Sequence, residues 1–424
     1  MQIHDLCAFL DASRSRFHAA AEVCRRLSAQ SYARLEENRP WELIPGGKYY
    51  FCRGGSAVLA FRIPNGIPTG FLMSASHLDR PTFLVKENGE LTGDCTRIAT
   101  EGYGGMLIHS WLDRPLSIAG RVLVETETGI ESRLVDIDRD LCLIPNLAIH
   151  QNRTANDGVK WNTAVDTLPL LGGKNAAGKL RSCLEEAAGG NIISQDLYLY
   201  LREEARIWGM DEEYISAPGL DDLECVWGCL QGFLQAKESG SIPMLCLLDS
   251  EEVGSASAEG ADSTLISGTL ERICRALDLN QATMLANSFM VSADNAHAVH
   301  PNHPELSDKT GAVQLNGGVV IKFNANQSYT SDGFSAAIFR KICADAGVPT
   351  QTFYNRADLR SGSTLGRISL NHVSVPSVDI GLAQLAMHAC YETAGTADPI
   401  HLEKAMAAYY GATLTATASG CEIG

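Results

Sequence analysis

Residues Leu245 to Asp262 read LCLLDSEEVGSASAEGAD, an apolar run that stops on two adjacent carboxylates, Glu251 and Glu252, and then passes into small residues. Met244 to Leu248 is too short for an ordinary helix and is bounded by a charged edge and a turn at Gly254, which predicts a short buried strand. In open α/β sheets the carboxyl ends of strands face the ligand crevice. Neighbouring side chains on a strand point opposite ways, so Glu251 and Glu252 are expected to divide two tasks, one binding metal and the other moving a proton. A solvated loop start carrying surface acids is the competing reading of the same residues.

The same pattern recurs elsewhere in the chain. In GFLMSASHLD the run Phe71 to Ser76 ends on His77 and Asp79, and in MLANSFMVSADNAHAVHPNHPEL an apolar stretch ends on Asp294. SAPGLDDLECVWGCLQGFL reads as a polar turn followed by a helix, with Asp221 and Asp222 near its start, where acids also complement the helix dipole. His297, His300 and His303 are spaced by three, but Pro301 and Pro304 rule out a regular helix and hence a helical metal face. Cys225 and Cys229 lie four apart in a helix-like run and are expected to be core packing.

A length of 424 residues predicts two domains, or one domain with a large insertion. Hydrophobic residues at 45% and charged residues at 20% fit a soluble globular protein and not a disordered one. The formal charge of −16 argues against nucleic acid or an anionic membrane as partner, since both require clustered Lys and Arg. The 13 cysteines are scattered singly, with no paired metal-finger spacing, which points to a reducing compartment. With no signal-type amino terminus and no run of membrane length, a cytoplasmic location is expected.

Texture divides the chain. The first 35 residues show helical spacing of Leu6, Phe9, Leu10, Phe17, Ala20, Val23 and Leu27, and strands follow. From about residue 81 to 215, β-branched and alternating stretches such as RVLVETE and SRLVDIDR dominate, and α/β patterning returns from 216 to 424. The predicted fold is α/β, a mixed-sheet catalytic domain (1–80 and 216–424) interrupted by a mostly β insertion (81–215).

Polar residues at the ends of apolar runs are His77, Asp79, Asp221, Glu251, Glu252, Asp294 and His388. Two imidazoles and three carboxylates suit two borderline divalent ions such as zinc, with one carboxylate shared and one acid left as a base. That is the donor set of hydrolytic two-metal chemistry.

In order and context, SASHLDRP, YGGMLIHSWLDRPLSIAGRV, IPNLAIHQNR, SAPGLDDL, DSEEVGS, SADNAHAVHPN, SGSTLG and VDIGLAQLAMHA resemble the aspartyl aminopeptidase family of dinuclear zinc exopeptidases, over nearly the whole chain. The resemblance implies two zinc ions per subunit, with cobalt and manganese as alternatives. It makes His77 and His388 terminal ligands, Asp221 the bridge, and Glu252 and Asp294 the other terminal carboxylates. Glu251 becomes the general base, and Asp79 orients His77. His150 would reach from the insertion into a partner subunit's site, and the insertion would be a dimerisation domain within a dodecamer built from dimers. Lys322, with Tyr329, matches the position that meets an acidic substrate side chain. The implied activity is removal of amino-terminal residues, acidic ones in particular, from peptides. A broad-specificity aminopeptidase, a dinuclear zinc deacylase and an inactive metal-binding scaffold are the alternatives. Five positions depart from the family pattern: Asp222 for Asn, Asn295 for Met, Ser328 for Arg, and Arg14 and Arg16 for prolines. No chemical role is expected of the two arginines.

Overall fold

The computed structural model describes residues 2–359 and 361–424. Its main body is a nine-stranded mixed sheet. Four strands at its centre, Ile242–Leu248, Phe71–His77, Phe289–Ala293 and Ser377–Gly381, run parallel to one another in that spatial order. Every residue of these four strands is buried, as expected of a sheet covered on both faces. The strand predicted from Met244 begins two residues earlier, at Ile242.

Alternation along these strands supplies two cores. Ile242, Met244, Cys246 and Leu248 enter the apolar cluster on one face with Phe71, Met73 and Ala75. Leu245 and Leu247 enter the cluster on the other face with Leu72 and Val291. The second face is closed by helices Leu220–Gln235 and Asp398–Tyr410. Their close approach depends on glycine: a Cβ at Gly232 would stand 2.8 Å from the Ala407 nitrogen and 2.9 Å from the Glu403 carbonyl oxygen. Cys225 and Cys229 are fully buried in this helix, as core residues.

Residues 82–201 build a separate, antiparallel six-stranded sheet. Helix Lys179–Ala188 lays Leu180, Leu184 and Ala188 against its core of Phe83, Ile98, Ile118, Val122 and Leu199. The short strands Arg206–Trp208 and Tyr214–Ala217 belong instead to a third sheet, with Glu392–Gly395, Ala383–Leu385 and Ala296–His297. No helix among the described residues is long and apolar enough to cross a membrane.

Candidate metal centre

Because the four central strands are parallel, their carboxyl ends share one edge of the sheet. His77 closes one strand, Glu251 and Glu252 follow Leu248 after two residues, and Asp294 follows Ala293 directly. Asp221 arrives from the helix across the sheet, and its ψ of 109° departs from helical geometry. His388 lies beyond Ala383–Leu385 in a left-handed conformation, φ 67°.

These side chains meet. Ligand atoms of His77, Asp221 and Asp294 all lie within 4.8 Å of one another, and so do those of Asp221, Glu252 and His388. Asp221 belongs to both groups and faces them with different oxygens. Its Oδ1 is 3.6 Å from His77 Nε2, and its Oδ2 is 3.3 Å from His388 Nε2, which is also 3.4 Å from Glu252 Oε2. The other nitrogen of each ring is committed: His77 Nδ1 lies 3.0 Å from the Asp79 carbonyl oxygen, and His388 Nδ1 lies 2.9 Å from that of Gly105. With Nδ1 turned to a carbonyl, each Nε2 is the ring atom that faces the carboxylates and the one that would bind a metal once deprotonated.

The donor set fits divalent metal. Asp221 Oδ1 and Glu252 Oε1 are buried yet have no hydrogen-bond partner among the described residues. Stranded buried carboxylate oxygens are costly, and cations at these two positions would satisfy them. Burial is the first influence on Asp221, and it is overcome by His388 and His77, which hold the carboxyl below its usual range. Burial pushes Glu252 up, with Asp221 adding to it. His388, which burial alone would lower, is raised to about 10 by Asp221 and Glu252.

Glu251 and Glu252 occupy a single 3₁₀ turn, Glu251–Val253, and not the strand itself. The turn, and not strand alternation, therefore sets the directions of the two side chains. Asp79 sets that turn: its Oδ1 accepts from the Glu251 N–H (3.1 Å) and its Oδ2 from the Glu252 N–H (3.2 Å). Burial pushes Glu251 up to about 8, with Asp294, Asp79 and Asp221 adding to the rise and His77 opposing it. A carboxyl near neutrality is suited to both taking and giving a proton.

Asp222 has a different place. Its Oδ2 accepts from the His77 N–H (3.2 Å), it belongs to neither metal group, and burial pushes its carboxyl well up. Neither Asp221 nor Asp222 caps the helix, where no side-chain capping bond forms. Lys322 is buried and its Nζ donates to the carbonyls of Asp294 (2.8 Å) and Asn295 (3.1 Å), 5.1 Å from the centre of the Tyr329 ring. His150 is exposed and stands outside both metal groups. The segment from His297 to His303 contains no regular helix, and none of its histidines joins those groups.

Two site features escape a reading of the sequence. Glu392 is buried, and its Oε2 accepts from the Asp221 N–H (3.0 Å) while its Oε1 accepts from the His388 N–H (2.7 Å), tying two donor segments together. Its place four residues after His388 was the only signal. Arg16, to which the sequence assigns no role, donates to the Tyr103 hydroxyl (2.7 Å), which in turn donates to Asp79 Oδ2 (2.8 Å). The turn that brings Tyr103 there needs glycine: Gly104 has φ +77°, and a Cβ would come within 3.1 Å of the Glu252 Cβ.

Comparison with known proteins gives the family. The profile of the aminopeptidase I zinc metalloprotease family, M18, matches residues 9–410. A probable M18 family aminopeptidase 2 of Clostridium novyi is 40% identical over 96% of this chain and 98% of its own length. Its counterpart in Pseudomonas paraeruginosa is 38% identical over 96% and 97%. Among solved structures, a chain of the Ape4 and Nbr1 complex superposes with a TM-score of 0.94 at 31% identity, covering 97% of this chain and 85% of that one. The S. cerevisiae mApe1 dodecamer superposes with a TM-score of 0.85 at 25% identity, covering 96% of each chain. With a family profile matching residues 9–410 and relatives 40% identical over nearly the full length of both chains, this chain belongs to the M18 family of zinc aminopeptidases.

Proposed function

We propose that this aminopeptidase works with two zinc ions per chain, that Glu251 is its general base, and that it prefers amino-terminal Glu or Asp. The observation that carries the two-ion reading is the sharing of Asp221, one oxygen toward each of two donor groups. His77 and Asp294 would hold one ion and His388 and Glu252 the other, with Asp221 between them. Bound there, the ions would supply Lewis acidity and a water acidic enough to be activated at neutral pH. Glu251 takes a proton from the attacking water and returns it to the nitrogen of the leaving peptide. Asp79 holds the backbone of Glu251 and Glu252 and the ring of His77, fixing base and ligands relative to one another.

The acidic preference rests on Lys322. Two of its three ammonium protons are taken by the Asp294 and Asn295 carbonyls, leaving one for a substrate carboxylate. Tyr329 would form the pocket wall beside it. Because the ammonium already has partners, a neutral side chain leaves no orphaned charge, so preference is expected to come from the added charge-assisted bond, about tenfold or more.

His150 is proposed to act in a partner's site, steadying the substrate carbonyl, with the 82–201 sheet as the dimer contact and a dodecamer as the final assembly. Supporting this, Leu147 and Ile149, exposed apolar residues, precede His150 on the same exposed stretch. The thirteen thiols are all free, in keeping with the cytoplasmic location we assign. The functional test is a comparison of specificity constants for Glu, Asp, Leu and Lys amino-terminal peptides, free and Nα-blocked, in the parent and in Lys322→Leu. Cleavage of unblocked Glu and Asp peptides above the rest, with the Glu to Leu ratio collapsing in Lys322→Leu, is expected. Equal cleavage of Leu and Glu would make it a broad-specificity enzyme, and preference for blocked substrates a deacylase.

A further inference from the structure

Arg16 is the first residue of helix Arg16–Ala29, whose cap is Ser15. Its side chain is only 13% exposed, although it carries a permanent charge. The guanidinium lies against a pair of rings that meet edge to face, 4.8 Å from the centre of Tyr103 and 4.7 Å from that of Tyr198. Its Nη2 donates to the Tyr198 hydroxyl. Its Nη1 donates both to the Tyr103 hydroxyl (2.7 Å) and to Asp249 Oδ1 (3.1 Å). One group thus joins the amino-terminal helix, two strands of the 82–201 sheet and the end of strand Ile242–Leu248.

Both acceptors on Nη1 lead to the same turn. Asp249 enters it, and its Oδ1 also accepts from the Ser250 N–H at 2.7 Å. The Tyr103 hydroxyl donates to Asp79 Oδ2 at 2.8 Å, and Asp79 accepts from the Glu251 and Glu252 N–H groups. The turn is clamped from its entry and from its two acidic residues, with the cation at the fork. We propose that Arg16 is a positioning residue of the hydrolytic centre, fixing through Asp249 on one side and Tyr103 and Asp79 on the other the turn that carries Glu251 and Glu252. This rests on the reading of those two acids given above. Without the guanidinium, Asp249 is left buried beside no cation and Tyr103 loses the donor that orients its hydroxyl. The turn then has two loose attachments in place of two fixed ones.

The helix provides a clean variant. Arg16 is at the first helical position, where proline is favoured, and Ser15 is already extended (φ −144°, ψ 167°), as the residue before a proline must be. Arg16→Pro and Arg16→Met are therefore compared with the parent in kcat, KM, thermal midpoint and the rate at which a chelator removes zinc, alongside Tyr103→Phe and the double variant Arg16→Met/Tyr103→Phe. Arg121 packs over Phe17 in the same region without bonding to Asp79, so Arg121→Met controls for general loosening. The expected result is a kcat loss of about tenfold or more with KM within about twofold, faster zinc loss, and a double variant no worse than its poorer parent. Arg16→Lys recovers part of kcat, since an ammonium reaches one of the two acceptors. Folded variants with unchanged kcat and zinc retention, a fall in thermal midpoint alone, effects matched by Arg121→Met, or an additive double variant would each overturn the proposal. Should Arg16→Met fail to fold, Arg16→Pro and Tyr103→Phe decide the matter by the same readouts. Activity surviving in Glu251→Gln would overturn the assignment of the base instead, and zinc retention in the Arg16 variants would still report on the clamp.

Discussion

Glu251, Glu392 and His388 hold their protons more tightly in the fold than ordinary residues do, and this gives the metal-free chain a distinctive pH response. Burial, with Asp294, Asp79 and Asp221 adding, raises Glu251 to about 8, and burial with Asp221 raises Glu392 to about 8. Burial opposes the charge on His388, but Asp221 and Glu252 lift it to about 10. A raised folded-state pKa stabilises fully below the unfolded value, and that contribution is lost as pH rises through the folded value. The loss runs from about 4.5 to about 8 for the two acids and from about 6.5 to about 10 for the histidine. Asp221, which is lowered, loses its contribution only on acidification below its unfolded value, outside this window. The chelated protein should therefore fall in thermal midpoint between about pH 5 and 9, while the increment added by zinc grows, because bound metal takes the place of protons. Scanning calorimetry with zinc or with chelator checks this, and a chelated midpoint that rises across the range would contradict it. At this scale legibility was uneven. Glu251, Glu252, His77 and Asp294 announce themselves by ending apolar runs. Arg16 and Tyr103 do not, because they are 87 positions apart and meet only once the amino-terminal helix lies against the 82–201 sheet.

Elements place these residues where strand direction says they should be. The strand ends were readable because a fully buried parallel strand is a short continuous apolar run, and its first polar residue marks the edge of the sheet. The acid pair stands just past the strand end, as read, but a 3₁₀ turn and not strand alternation directs its two side chains, and Asp79 holds that turn by accepting both backbone N–H groups. Helix packing was also invisible, since nothing in the sequence distinguishes a glycine at a helix contact from one facing water. Gly232 would place a Cβ against Met406, Ala407 and Glu403, whereas Gly268, in helix Leu265–Ala276, has no atom within 4 Å of that position. Gly232→Ala should lower stability by about 1–3 kcal/mol through overpacking. Gly268→Ala should raise it by about 0.5–1 kcal/mol through helix propensity. Urea midpoints of the two variants check the pair, and equal shifts of the same sign would mean that the helix contact is not close.

The whole molecule joins a sheet edge rich in acids to a second sheet that supplies Tyr103 and Gly105 to the same centre, so neither part forms the site alone. That division predicts how an oligomer behaves. Chains carrying His150→Phe and chains carrying Glu251→Gln, each nearly inactive alone, should regain activity in verified mixed assemblies, because one subunit supplies the base and its neighbour the imidazole; no recovery would remove the role given to His150. The central claim, two ions joined by Asp221, is tested most directly by counting zinc per folded chain in native mass spectra of the parent, Asp221→Ala, Asp294→Ala and His388→Ala. Two ions in the parent, one or fewer in Asp294→Ala and His388→Ala, and none retained in Asp221→Ala is the predicted result. A parent saturating at one ion per chain, or Asp221→Ala still holding two, would contradict it.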